Sequence, residues 1–196
     1  MAVIIRYKGI VVPKCFDCDL CKTRRKQVVG RGDCPADVLF IGEGPGASED
    51  MMGLAFVGQT RPILKAAIEQ AQLMTGVHPS MFFTNLVQCR PTDSEGKNRA
   101  PSRDEVAACH KNLIRVCKYV EAKQVVLLGK VPERYAGKIF PWAQKTYHPA
   151  YLLRKGGQSS REFGIFARHM EEVFKRLRDG ENRPAKVGES TPNLFP

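Results

Sequence analysis

Short, mostly apolar runs at 38–41, 81–87 and 124–129 break up an otherwise mixed chain. Each is too short for a helix, rich in Val, Leu, Ile and Phe, and bounded by glycine, proline or polar residues. That pattern predicts strands buried on both faces. The segments between them switch to helical spacing. Ile63, Leu64, Ala67, Ile68 and Ala71 mark an amphipathic helix over 60–73, with Pro62 in its first turn. Val106, Cys109, Leu113, Val116 and Val120 mark the inward face of a helix over 103–120, which Ser102 and Glu105 open as a capping box. A short helix over 130–136 follows the third strand, and 137–147 reads as a loop leading into a fourth strand that ends at 145–147. Phe163, Phe166, Ala167, Met170, Val173, Phe174 and Leu177 set a closing helix over 160–178. Residues 1–12 are expected as an edge strand or an extended arm, 92–100 as a polar loop, and 179–196, polar and rich in Pro and Gly, as a disordered tail; the fourth strand leads into 148–157. Strands alternating with helices predict an α/β fold: a three-layer α/β/α sandwich around a four-stranded, mostly parallel sheet. The chain is then one domain over 1–178, with a cysteine-bearing segment at its N-terminus and a tail.

The stretch 37–50 organises this pattern. An apolar strand breaks into Gly42-Glu43-Gly44-Pro45-Gly46, followed by Ala47, Ser48 and the acids Glu49 and Asp50. Glycine lets the backbone turn sharply and come close to a ligand, and ligands of open α/β sheets bind at the carboxyl ends of the strands. The plainer reading is a tight strand-to-helix turn with solvated acids. A dinucleotide fingerprint fits poorly, because its third glycine is missing from the required place. Phe56, bracketed by Gly53 and Gly58, is placed near a pocket or in the core. Asn85 near the end of the second strand is disfavoured there by propensity. It is either a strand terminator or a hydrogen-bonding reader at the ligand edge.

Charge narrows the partners. Across 196 residues, 31 Lys plus Arg stand against 20 Asp plus Glu, for a net charge of +11. A polyanion such as nucleic acid accounts for that excess through counterion release; a merely basic surface is the alternative. No apolar run approaches the roughly 20 residues of a membrane span. The first residues carry no signal-peptide pattern, so a reducing, cytoplasmic setting is expected. Seven cysteines in such a setting point to metal or cluster ligation rather than a disulfide scaffold. Cys15-x-x-Cys18 lets two thiolates of one turn grip a metal, and Cys21 extends the spacing. Two more ligands must come from elsewhere. Cys109 faces inward in the first turns of its helix, where it meets Cys89, while Cys117 falls in the core.

Three separated segments, taken in order, resemble the family 4 uracil-DNA glycosylases, the iron–sulfur type. They are Gly42-Glu43-Gly44-Pro45-Gly46 with Glu49-Asp50 and Phe56-Val57-Gly58; Thr84-Asn85-Leu86-Val87-Gln88-Cys89-Arg90-Pro91 with Asn98-Arg99-Ala100-Pro101; and His148-Pro149-Ala150-Tyr151-Leu152-Leu153-Arg154. The resemblance covers roughly residues 12–178. It implies a repair enzyme that flips uracil out of single- or double-stranded DNA and hydrolyses its glycosidic bond, leaving an abasic site, and that acts as a monomer. It also implies a [4Fe–4S] cluster on Cys15, Cys18, Cys89 and Cys109; four thiolates by themselves suit zinc equally, and Cys21 and Cys34 are spare. Phe56 is implied to stack on the flipped base, Asn85 to read it, and His148 to donate to O2 of the departing uracil. More distant relatives have a water-positioning aspartate at the place of Gly44; here Glu43 and the loop backbone at Gly42 and Gly44 are the available substitutes. Glu49 is implied to exclude the methyl of thymine, and Leu152, Leu153 and Arg154 to form the wedge that fills the vacated stack. The segment between Gly129 and His148 is shorter than the family's hairpin-containing stretch, and loop 92–97 is slightly longer. That loop carries no histidine, unlike the related branch that bonds covalently to DNA, which predicts hydrolysis. The terminal Leu194-Phe195 resembles sliding-clamp-binding peptides without their leading glutamine. The competing class is a non-catalytic iron–sulfur or zinc nucleic-acid-binding protein.

Overall fold

The computed structural model describes residues 4–7 and 10–182. Five strands form the central sheet: β3 (Arg31–Gly32), β4 (Val38–Gly42), β5 (Met81–Asn85), β6 (Gln124–Leu128) and β7 (Gln144–Thr146), in the order β3-β5-β4-β6-β7. β5, β4, β6 and β7 run parallel, and only β3 is antiparallel to its neighbour. The sheet is therefore mostly parallel as expected, with five strands in place of four; the addition is the two-residue β3. The N-terminal strands β1 (Ile4–Tyr7) and β2 (Ile10–Pro13) pair with each other as a separate antiparallel sheet, not as an edge of the main one.

Successive side chains of a strand point to opposite faces, and this builds the layers. Leu39, Ile41, Val125 and Leu127 pack with Leu113, Val116 and Val120 of helix α4 (Arg103–Val120) and with Phe140. Val38, Phe40, Val126 and Leu128 pack on the other face. Their partners are Ile63, Leu64 and Ala67 of α3 (Arg61–Thr75) and Phe166, Met170 and Phe174 of α7 (Arg161–Arg178). Each such side chain, removed from water, contributes about 1.5–3 kcal/mol before the cost of ordering it. The capping box of α4 forms: Ser102 Oγ accepts from Glu105 N–H and Glu105 Oε2 accepts from Ser102 N–H at 2.7 Å.

Further short helices are α1 (Leu20–Thr23), α2 (Ala47–Met52), α5 (Lys130–Ala136) and α6 (Pro149–Arg154). α6 follows His148, in a segment to which the sequence pattern assigned no element. The imidazole of His148 caps it and Pro149 occupies its first turn, a position where a missing N–H costs nothing. Among the described residues no helix is long and apolar enough to cross a membrane. The tail expected from 183 onward, with the clamp-type peptide at 191–196, lies outside the described residues.

Candidate active site

The sheet itself brings the distant segments together. In the parallel register Gly42 lies opposite Asn85, so the loops after β4 and β5 leave the sheet side by side at its carboxyl edge. β6 ends at Leu128, just before Gly129, and the chain leaving β7 reaches His148 two residues on. Gly129 has φ +101°, and a Cβ there would stand 2.9 Å from His148 Cβ. Only glycine lets that backbone pass so close to the imidazole.

These loops enclose an open cavity of about 700 Å³ lined by Glu43, Gly44, Glu49, Phe56, Asn85, His148, Leu153 and Arg154, with Pro91, Asn98 and Arg99 on its far wall. Gly42 forms its floor: a Cβ there would stand 2.4 Å from Asn85 Oδ1 and 2.5 Å from Phe56 Cζ. Asn85 is only 3 % exposed, faces the cavity, and forms none of the side-chain hydrogen bonds found among the described residues. Native proteins seldom bury an amide without a partner, so a polar ligand is the natural complement.

Phe56 carries backbone strain. Its φ of +53° lies in the left-handed region, unfavourable for a bulky residue by about 1–3 kcal/mol. Two charged side chains hold it there. Arg31 of β3 donates from NH2 to Phe56 O at 3.1 Å and from Nε to Ala55 O, with its guanidinium 4.8 Å from the Phe83 ring. Glu49 of α2 accepts from Val57 N–H at 2.9 Å and Gly58 N–H at 2.7 Å. The Phe56 ring consequently stands 6.5 Å from that of His148. Arg31 is the residue the sequence concealed, because a two-residue edge strand has no periodicity to announce it.

His148 Nδ1 accepts the N–H of Ala150 at 3.1 Å. In the neutral ring the proton then sits on Nε2, leaving an N–H donor for the cavity. Burial, then the neighbouring Arg154 cation, pushes its pKa down to about 4, with Glu49 opposing. The unfolded chain takes up that proton near 6.5, so between pH 6.5 and 4 it binds more protons than the folded one, and stability falls as pH falls through this window. His110 and His169, also lowered by burial, act in the same direction. His148→Asn keeps a capping acceptor without the titration. Urea unfolding at pH 7 and 4.5 is expected to show an acid loss smaller in the variant by about 1–3 kcal/mol, allowing for the ring's partial exposure. Glu43 is raised by burial alone, which makes its carboxylate a better base.

Leu152 does not join the expected wedge. It is 0 % exposed and packed in the core against the α3 and α7 side, because it lies on the inward face of α6. Leu153, 38 % exposed, and Arg154 stay at the rim of the cavity.

Cys15, Cys18, Cys89 and Cys109 ring a second, small cavity, together with Cys21, Arg24, Gln88 and Asn112. Arg24 donates to Cys89 Sγ at 2.9 Å and to Cys15 O at 2.6 Å, and Gln88 N–H donates to Cys109 Sγ at 3.3 Å. Burial pushes Cys109 up to about 12 and Cys89 up to about 11, the latter against the pull of Arg24. As bare side chains both are thiols; a metal centre deprotonates such ligands. Among the described residues no three Cys, His, Asp or Glu side chains converge tightly enough for one ion. The sulfurs surround a space instead of meeting at a point. Cys117 is fully buried in the core, and Cys34 packs near Tyr119, away from this cavity. Asp50 of α2 accepts from Arg25 N–H at 2.9 Å and Lys26 N–H at 3.3 Å, which ties α2 to the segment that follows α1.

A mostly parallel α/β sheet with an open cavity at its carboxyl edge is joined by a match in sequence. The sequence model of the uracil DNA glycosylase superfamily matches residues 29–178, and the chain belongs to that superfamily. Within it, the chain is similar to proteins named type-4 uracil-DNA glycosylase. It is 31% identical to that of Pyrobaculum aerophilum over 182 residues, covering 80% of this chain and 89% of the relative. It is 30% identical to that of Archaeoglobus fulgidus over 207 residues, covering 94% of each, and 30% identical to that of Thermotoga maritima over 160 residues, covering 73% and 80%.

Proposed function

We propose that this protein is a monofunctional uracil-DNA glycosylase, a hydrolase that takes uracil out of DNA and leaves an abasic site. The observation that carries the reading is the convergence of Phe56, Asn85 and His148, far apart in sequence, on one cavity. The base enters by leaving its stack, and its face lies on the Phe56 ring. The Asn85 amide accepts from N3–H and donates to O4. Cytosine inverts that pattern and leaves both partners unpaired, a mismatch that costs about 10⁴-fold or more. Glu49, held by two backbone amides, occupies a fixed place beside the base where it excludes a methyl at C5. As the bond between C1′ and N1 lengthens, negative charge grows on the uracil, and His148 Nε2–H donates to O2 to receive it. Water bonds to C1′ as uracil departs with the electron pair, and Glu43 positions that water and takes its proton. Arg154 meets the phosphate backbone, and Leu153 fills the gap in the stack.

Cys15, Cys18, Cys89 and Cys109 suit a [4Fe–4S] cluster. A ring of sulfurs around a cavity suits a cluster better than a single zinc ion, whose bonds of about 2.3 Å require the sulfurs to close on one centre. When bound, the cluster supplies a cross-link between the N-terminal segment and α4, and no step of the hydrolysis.

Incubation with a uracil-containing oligonucleotide, followed by alkali, is expected to cut the strand at the uracil. Intact single- and double-stranded substrates would rule the reading out in favour of a non-catalytic nucleic-acid-binding protein. Two variants probe the pocket's construction. Gly42→Ala drives a methyl into both Asn85 and Phe56. It is expected to reduce excision by at least about 100-fold, while overpacking lowers stability by about 1–3 kcal/mol in urea. Arg31→Ala releases the strained Phe56 peptide. Excision and inhibition by free uracil should weaken together by about 10–100-fold, the equivalent of the strain no longer held. Affinity for uracil-free duplex should be unchanged, which separates positioning from general loss of structure.

A further inference from the structure

Among the described residues, two buried side-chain atoms have no hydrogen-bond partner: Gln88 Nε2 and Asn112 Nδ2. Both residues are 1 % exposed, and both line the cysteine-ringed cavity. Their carbonyl oxygens are already engaged. Gln88 Oε1 accepts from Gln27 Nε2 at 2.9 Å, and Asn112 Oδ1 accepts from Arg115 at 3.1 Å. Turning either amide round would set one N–H against another, so these contacts fix which end carries the free N–H. Asn112 lies three residues beyond Cys109 on α4, on the same face of the helix, and Gln88 immediately precedes Cys89. Buried amide N–H groups are almost always satisfied. Asn112 lies close enough to Cys109 to pull that thiol's pKa down, yet its N–H makes no well-formed hydrogen bond, and that of Gln88 makes none; two under-satisfied amides on one small cavity call for a further acceptor there.

Sulfur is the acceptor this cavity presents. Arg24 and the backbone N–H of Gln88 already donate to cysteine sulfurs here. We infer that Gln88 and Asn112 donate their side-chain N–H groups to the sulfur atoms of the bound iron–sulfur cluster, and so set its reduction potential and its retention. This rests on the cluster reading given above. Donors to sulfur stabilise the more negative, reduced state and raise the potential; in a site shielded from water their influence is stronger.

The test uses full-length, anaerobically purified protein. Iron and sulfide analysis comes first, then an EPR-monitored redox titration of the parent, Asn112→Leu, Gln88→Met and the double variant. The parent should contain iron and inorganic sulfide in equal number. Each single variant should lower the reduced-to-oxidised ratio at a fixed poise by about tenfold, or about 59 mV for a one-electron couple. The double variant should shift further and lose iron faster to a chelator. Iron-replete variants with the parent's potential and rate of iron loss would overturn this inference and leave the cluster reading standing. Zinc without iron in the parent would overturn the cluster reading itself, and the inference with it. Should the variants fail to fold, the parent labelled with ¹⁵N only in its Asn and Gln side-chain amides decides the matter. Pulsed EPR of the reduced cluster should detect ¹⁵N coupling, and no coupling would mean that water takes these protons and the inference is wrong.

Discussion

Asn85→Asp is expected to lose uracil excision by about 10⁴-fold or more in single-turnover assays, with little change in fold. The substitution is nearly isosteric, so the strand end and the floor at Gly42 stay as they are. What changes is the hydrogen-bond pattern. The donor to O4 becomes a second acceptor, and a carboxylate oxygen faces O4 in a site too dry to screen the repulsion. A site built to hydrogen-bond its substrate discriminates by factors of this size when one partner is wrong. The carboxylate accepts from the N4 amino group of cytosine, so the small residual activity should shift toward cytosine. It should stay low, because N3 of cytosine is itself an acceptor and still meets the carboxylate. Uracil removal at the parent rate would contradict the assignment of Asn85 as the reader of the base.

His148→Asn is expected to lower the rate of the chemical step by about 10²–10³, equivalent to about 2.7–4 kcal/mol for one preorganised donor. Asparagine still offers an oxygen to the N–H of Ala150, so α6 keeps its cap and binding of uracil-containing DNA should survive. The loss therefore belongs in the single-turnover rate and not in the affinity. The pH profile of the parent carries a second signature. With its pKa near 4, His148 is neutral across the neutral range and acts as a donor without gaining a proton. Excision should show no step from this group between pH 5 and 8. A step near 6.5 that vanishes in His148→Asn would mean that a cationic imidazole does the work.

The sheet was legible because its central strands are buried on both faces, which leaves mostly apolar runs at 38–41, 81–87 and 124–129. Helices α3, α4 and α7 were legible from their inward stripes, and α4 also from Ser102 and Glu105. Asn85 was visible as a polar residue placed against local propensity near a strand end, the mark of a site that trades stability for function, whereas His148 stood out only through the motif it opens. What escaped depends on contacts made across the fold. β3 is two residues long, so neither it nor the reach of Arg31 to the carbonyl of Phe56 has a local signal. The resemblance put Leu152 outward with Leu153 and Arg154; in helix α6, capped by His148, Leu152 faces the core instead. Glu49 was singled out beside the base, but its grip on the amides of Val57 and Gly58 arises only when α2 folds back over that loop. The orphaned amides of Gln88 and Asn112 become visible only when every buried polar atom has been accounted for.

The central claim is spatial: one ring, one amide and one imidazole line one cavity and meet a single pyrimidine there. A crystal structure of the protein soaked with free uracil tests it most directly. The account predicts the base lying against Phe56, with N3 and O4 facing the Asn85 amide and O2 within hydrogen-bond distance of His148 Nε2. Uracil bound away from these three side chains would contradict it.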